Sequence, residues 1–400
     1  MRRMRALFVV LALVMSVSVL AAAKTTVHVV SWYPTTPGGL LDELKRAFEA
    51  AYPDYEIEYT SYPSSGYYDR LMTMALADTA SDVAMLGFDW IAAMAELGVA
   101  MNIDQLVREN FPVDDMFPSI QRALQWQGQY YALSRDITAK VFYYNGDMFA
   151  EAGLSHPSDD WTWDEFLAAA KRVHREFDGE VQVWGFVMDF VLDGHYHWFP
   201  TNSADWFNFD RTMVTMTDER TVETLQFLHD LIYVHGVAPT PEQRSPLGSA
   251  FLNQRAAMHV GGSGTPDPNV YPDLNWKLAM LPQKTQAGSR VWSNLWIIPA
   301  GTKNPEAAWK VLSFFAGPEG QRIAGAVRSG IPAIRSVVLE GDYDPYILRA
   351  FEVGVPYPVI PNRDVWNVFN EELNRFWRER IPASTVAQAI QERVEPMLNQ

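Results

Sequence analysis

The chain has no cysteine among its 400 residues, which excludes thiol catalysis, disulfides and a lipid-modified cysteine alike. An exported domain without disulfides must hold together by its core alone. Positive charge is scarce as well: 32 Lys and Arg face 48 Asp and Glu, for a net charge of −16. Such a surface repels phosphate backbones and anionic lipids, so no nucleic acid is expected as a partner. A long apolar run is also missing. The best one, Ala6 to Leu20, falls short of the about 20 residues that a membrane span needs. It follows Met1-Arg2-Arg3-Met4-Arg5 and precedes Ala21-Ala22-Ala23, the three parts of a secretory signal peptide. Residues 1–23 are therefore expected to be removed, and the mature protein to be periplasmic or secreted, soluble and not tethered to a membrane. Removal takes three arginines and no acid, leaving 29 basic against 48 acidic residues, or −19.

Catalytic and cofactor signatures are thin. Gly262-Ser263-Gly264 fails the G-x-S-x-G pattern because Thr265 stands where the last glycine belongs. "GGSGTPDP" lacks the lysine of a phosphate-binding loop. His195 and His197 could offer two imidazoles on one strand face to a metal, but two polar side chains in an aromatic loop is the simpler reading. Acidic neighbours such as Asp159-Asp160 and Glu371-Glu372 read as solvated surface, and spacing alone shows no raised pKa. The chain is expected to be no enzyme and to need no cofactor or metal.

What is present is aromatic and uncharged. With 48% hydrophobic, 13% aromatic and 20% charged residues the chain is globular, and its length suits two domains or lobes. "TTVHVVSWY" reads as a first strand, "LLDELKRAFEAAYPDY" as a helix stopped by Pro53, "EIEYTSY" as a second strand and "DVAML" as a third, after a helix at "SSGYYDRLMTMALA". That alternation is the α/β pattern with a parallel sheet, and ligands of such sheets bind beyond the carboxyl ends of the strands. Trp32 and the Phe88-Asp89-Trp90 group lie there. Thr162 and Glu165 form a capping box before a helix, 218 to 235 reads as another, and "SAFLNQRAAMHVGGSG" as helix, strand and glycine turn. Of the 14 tryptophans, several sit beside Ser, Asn, Asp or Gly, the mixture of apolar wall and directed polar group that makes a small-molecule site.

In order along the chain, "GQYYALSRDITAKVFYYNGDMFAEAGL", "WTWDEFLAAAKRV", "FLNQRAAMHVGGSG", "NPEAAWKVLSFFAGPEGQ" and "SGIPA" resemble the sugar-binding, maltose-binding-like group of extracellular solute-binding proteins of ABC importers. The resemblance implies a two-lobe periplasmic-binding-protein-like α/β fold. Each lobe would be a mainly parallel sheet flanked by helices, with the ligand cleft between lobes. It implies lobe 1 at 24–134 and 290–333, and lobe 2 at 135–289 and 334–400. Ser134-Arg135-Asp136 would then lie at the crossing and face the cleft, where the family usually has a proline in place of Ser134. Family members also often carry Gly-x-Trp where this chain has Gly262-Ser263-Gly264.

The function so implied is a monomeric receptor that closes on a carbohydrate and delivers it to membrane permease subunits. Candidate ligand-binding residues are Trp32, Asp89, Trp90, Arg135, Asp136, Trp206, Gly262, Ser263, Trp292, Asn294 and Arg328. Strand alternation further predicts that Trp292, Asn294 and Trp296 share a face that looks into the site. Two other readings stay open: a secreted glycoside hydrolase with aromatic subsites, and an iron receptor using Tyr143-Tyr144 or Tyr67-Tyr68.

Overall fold

The computed structural model describes residues 23–398 except Asp78, Thr265 and Pro268, so the expected signal peptide lies outside the described residues but for Ala23. Strand Thr25–Ser31 pairs in parallel with Tyr55–Ser61 on one side and Val83–Gly87 on the other. Helix Leu40–Ala51 joins the first two of these strands, with Leu40, Leu41, Leu44 and Phe48 buried on one stripe at helical spacing. Val83–Gly87 is buried at all five positions, as befits a strand covered on both faces. Strands Asn294–Ile297 and Ala132–Ser134 complete this first sheet on the far side of Val83–Gly87, in the order 55–61, 25–31, 83–87, 294–297, 132–134. Both added pairings are antiparallel.

The second sheet is built on Thr138–Asn145, which runs antiparallel to Met258–Gly262, Trp276–Ala279 and Ser289–Trp292. Only Ser289–Trp292 with Gly354–Pro356 is parallel. A mainly parallel sheet in each lobe therefore describes the first three strands of the first lobe and not the second. The reason is the crossing itself. The chain leaves the first sheet at Ser134 and enters the second at Thr138, and it returns between Trp292 and Asn294. Outbound and return passages lie side by side, so the strands that flank them must run in opposite directions. The return was expected at residue 290; Ser289–Trp292 belongs to the second sheet, and the passage is at Ser293. Ser134 and Ser293 meet hydroxyl to hydroxyl at 2.9 Å. Beside them Ile331 bridges Ile137, and helix Pro345–Val353 then packs on the second sheet.

Helix Trp163–Val173 carries the capping box of Thr162 and Glu165, and helix Glu219–Tyr233 falls within its expected span. Residues 249–254 form turns rather than a helix, with Gln254 in the left-handed region at φ 57°. No helix among the described residues is long and apolar enough to cross a membrane.

Candidate functional site

The carboxyl ends of Thr25–Ser31 and Val83–Gly87 place Trp32, Asp89 and Trp90 together on the first lobe. Trp32 meets Tyr67 edge-on at 5.1 Å and Tyr68 at 6.3 Å. Tyr68 in turn stacks on Trp90 at 4.1 Å with 21° between planes. Trp32, Tyr68, Asp89 and Trp90 are all half-buried, so this wall keeps aromatic surface within reach of a ligand. From the second lobe Arg363 reaches across. It donates to the Asp89 carbonyl at 2.7 Å and to its carboxylate at 3.1 Å, and its guanidinium lies 4.4 Å from the Trp90 ring centre. Burial pushes the Asp89 carboxyl up, and the Arg363 charge opposes that rise.

Trp292, at the end of its strand, joins the two lobes' surfaces. Its ring meets Phe88 edge-on at 4.6 Å, and a Cβ on Gly87 would stand 3.7 Å from it. The Arg290 guanidinium lies 5.1 Å from the Trp292 ring and 5.4 Å from that of Tyr357. A cavity of about 200 Å³ opens here, lined by Thr138, Ala139, Lys140, Gly262, Arg290 and Trp292. Burial chiefly pushes the pKa of buried His197 well below the usual range, and the charges of Lys140 and Arg290 nearby help hold it neutral. A larger cavity of about 1270 Å³ runs along 122–128, 205–212 and 355–362 with Phe88 in its wall; none of the eleven candidate residues lines it.

Three candidates, Arg135, Asp136 and Asn294, belong to the hinge instead. Ser134, Arg135 and Asp136 are buried, at 0%, 4% and 5% exposure. Asp136 accepts from the Asn294 backbone N–H at 2.9 Å, from its side-chain amide at 3.2 and 3.0 Å, and from Arg135. Arg135 also donates to the Ser329 carbonyl at 3.1 Å and packs its guanidinium 4.8 Å from the Tyr33 ring. Gln321 donates to the carbonyls of Ser134 and Arg135. Thus Arg135, Asp136 and Asn294 satisfy one another and do not line the cavity: a buried charge without such partners would cost several kcal/mol, at roughly 3–5. The face shared by Trp292, Asn294 and Trp296 is broken at Ser293, where the strand changes sheet; Trp296 packs against Phe315 in the first core.

Trp206 is fully buried, stacked on Phe369 at 4.9 Å and edge-on to Tyr196 and Tyr357, so it presents no face to the cleft. Arg328 is exposed on a left-handed turn, φ 52°, and among the described residues no contact ties it to the aromatic wall. Gly262 lines the small cavity, whereas the Ser263 hydroxyl accepts from the Ala139 N–H at 3.2 Å and is buried. Sequence reasoning missed Arg290, Lys140, Tyr68 and Arg363 as contributors. Alternation along Arg290-x-Trp292 and Thr138-x-Lys140 could have found the first two. No local pattern announces Arg363, which the fold brings from 274 residues away.

The tyrosine pairs do not converge. Tyr143 donates to the Gly262 carbonyl at 2.8 Å while Tyr144 bonds His156 at 2.6 Å, as neighbours on a strand point apart. Tyr67 donates to the Val30 carbonyl at 3.2 Å, and burial raises the phenols of both Tyr67 and Tyr68, against the phenolate that iron needs. His195 and His197 are buried beside Trp206, Trp377 and Trp198, and among the described residues no group of three or more His, Asp or Glu could hold a metal ion.

Residues 33–322 match the model of the bacterial extracellular solute-binding protein family. The maltotriose-binding protein of Pyrococcus abyssi is 24% identical over 333 residues, 80% of this chain and 70% of that protein. Among solved structures, the sugar-binding protein MalE from Xanthomonas citri has a TM-score of 0.80 at 19% identity, covering 94% of this chain and 98% of that one. An ABC substrate-binding protein from Listeria monocytogenes in complex with cycloalternan has a TM-score of 0.77 at 22% identity, covering 94% and 99%. These likenesses establish the two-lobe fold.

Proposed function

The chain belongs to the family of bacterial extracellular solute-binding proteins, and on that premise we propose that it is an exported receptor that binds a sugar or oligosaccharide between its lobes and passes it to the permease of an ABC importer. The observation that carries the reading is the interlobe wall of half-buried rings, Trp32, Tyr68, Trp90 and Trp292, beside Asp89, Arg290 and Arg363. Ring faces suit the C–H faces of a sugar, and directed charged groups suit its hydroxyls, since an unpaired buried polar group costs about 1–3 kcal/mol. The maltotriose-binding relative supports the same ligand class.

Binding would act by differential affinity. Ligand contacts on both walls favour the closed arrangement, and the three passages near 135–137, 293 and 331 absorb the motion. Arg363 and Asp89 already span the lobes and would re-pair or share hydroxyls when a sugar enters. A thermal-shift screen against mono- and oligosaccharides tests the reading, because a ligand that binds only the folded state raises Tm by mass action. The right sugar should raise Tm and be recovered unchanged. Recovery of a hydrolysed product would turn the reading toward a glycoside hydrolase.

A further inference from the structure

The cavity of about 1270 Å³ takes its walls from both sides of the chain's crossing. Residues 122–128 come just before Ala132–Ser134 of the first sheet, and residues 205–212 lie between Thr138–Asn145 and Met258–Gly262 of the second. Phe88 and Tyr357 also line it, and they touch the aromatic wall: Phe88 meets Trp292, and Tyr357 lies beside Arg290.

Both walls are held in shape. On one, Gln127 and Gly128 take the left-handed region, at φ 49° and 75°, and turn Gln125–Trp126 back on Gln129–Tyr130. The Trp126 indole N–H and the Gln127 amide both donate to Glu96, at 2.6 and 2.8 Å. On the other, Phe207 bridges Val214, and the Asn208 side chain accepts from the Thr212 and Met213 N–H groups at 2.8 and 3.0 Å. Arg211 sits at φ 60°, a conformation that costs a residue with a Cβ, and donates to the Asp205 carboxylate at 3.0 Å. This fixed loop carries Phe209 and Asp210, with Phe209 81% exposed.

A lone exposed ring needs no explanation, but this one stands in the wall of a cavity beside an unused charge. Five charged residues line that cavity. Glu96 is taken by Trp126 and Gln127, and Asp205 and Arg211 take each other. Arg122 and Asp210 remain. Both are exposed, neither has a hydrogen bond or ion pair among the described residues, and they stand with opposite sign on the two walls.

We propose that the loop 207–214 is a clasp. As the lobes close, Asp210 pairs with Arg122 and the Phe209 ring covers the hairpin 125–130, which shuts the cavity behind a ligand on the aromatic wall and slows its release. An exposed ion pair is weak alone, so burial of the Phe209 ring supplies the rest of the attraction. Because both walls are already ordered, little entropy is lost on contact. The role in release rests on the sugar binding proposed above; the contact itself does not.

The chain has no cysteine, so Gln127→Cys with Thr212→Cys adds one thiol to each wall and no others exist. Crosslinking by a short bismaleimide in the sugar-free protein is compared with Arg122 and Asp210 native, singly reversed as Arg122→Asp or Asp210→Arg, and exchanged. Each reversal should slow crosslinking about threefold, and the exchange should restore it. Phe209→Ser should slow it by itself. Equal rates throughout, or an exchange as slow as the single reversals, overturn the clasp whatever the protein binds. Stopped-flow tryptophan fluorescence then reads release of maltotriose, or of the sugar with the largest Tm rise in the screen. The single reversals should speed release about threefold and the exchange should reverse the gain. Unchanged release where crosslinking responds overturns the role in retention. A screen in which no sugar binds overturns the receptor reading and that role with it, and crosslinking still decides the contact.

Discussion

Two clusters in this molecule draw on the same residue types, and they do opposite things. At the crossing, buried Arg135 and Asp136 and half-buried Asn294 are bonded to one another. At the cleft wall, Asp89 and Arg363 are also an acid–arginine pair, yet their side chains stay 22% and 33% exposed and stand beside open aromatic surface. The first cluster is stabilised by closure: both Asp136 oxygens and the Arg135 guanidinium Nη atoms have partners inside the protein, and the burial of the charges makes those partners necessary. The second is left adjustable, with solvent still able to screen it. A polar group flanked by rings is thus not by itself a ligand contact. What separates the two clusters is whether the chain has already supplied the partner.

The sharpest way to break this comparison is Asp136→Ala. It leaves Arg135 buried without its carboxylate and Asn294 without its acceptor, so unfolding in urea should show a loss of about 3–5 kcal/mol. A variant as stable as wild type would mean that the hinge cluster is no tighter than the cleft pair. The next effect belongs to His259 on the second sheet and depends on pH. His259 is held neutral with a pKa of about 4 against an ordinary value of about 6.5. The unfolded chain takes up a proton as pH falls through about 6.5 while the folded one waits until about 4. Stability should therefore decline across that window and level off below it, by at most about 3 kcal/mol from this group. His259→Gln should flatten part of that slope in denaturation curves taken at pH 7 and pH 4.5; the same slope in the variant would assign it to other imidazoles such as the buried His197.

Smaller effects sharpen the cleft side. Trp292→Ala should weaken binding of the preferred sugar by at least tenfold, about 1.4 kcal/mol, with the unliganded protein still folded. Calorimetry with circular dichroism reads both. Loss of folding would move Trp292 from the site to the core, beside Phe88. Least of all is Arg363→Ala. Its pair with Asp89 is partly screened, so stability should change by roughly 0–1 kcal/mol. The radius of gyration of the sugar-free protein should nevertheless rise in solution scattering, because one cross-lobe link is gone. An unchanged radius would show that the pair does not hold the lobes together.

How far the site was legible follows the range of the interactions. Trp32, Asp89 and Trp90 follow strands whose ends local pattern could locate, and the structure brings them together on one wall. Trp206 has the same kind of sequence surroundings, yet Phe369 and Tyr357 from distant segments close over it. Trp292 and Asn294 are two residues apart and were assigned one face, but the sheet change at Ser293 separates them. Arg363 carried no local signal at all.

By itself the sequence determined the compartment expected for the chain, the absence of thiol chemistry, the strand–helix alternation of the first lobe and the family. These follow from composition, from periodicities of two and 3.6 residues, and from short motifs in order, all of which are local along the chain. The tertiary structure alone decided that the second sheet is mainly antiparallel, that the return passage lies at Ser293, and that Asp136 answers Asn294 while Asp89 answers Arg363. Those outcomes depend on which distant segment fills the space beside each side chain, and packing across the two lobes settles that only once the whole chain has folded.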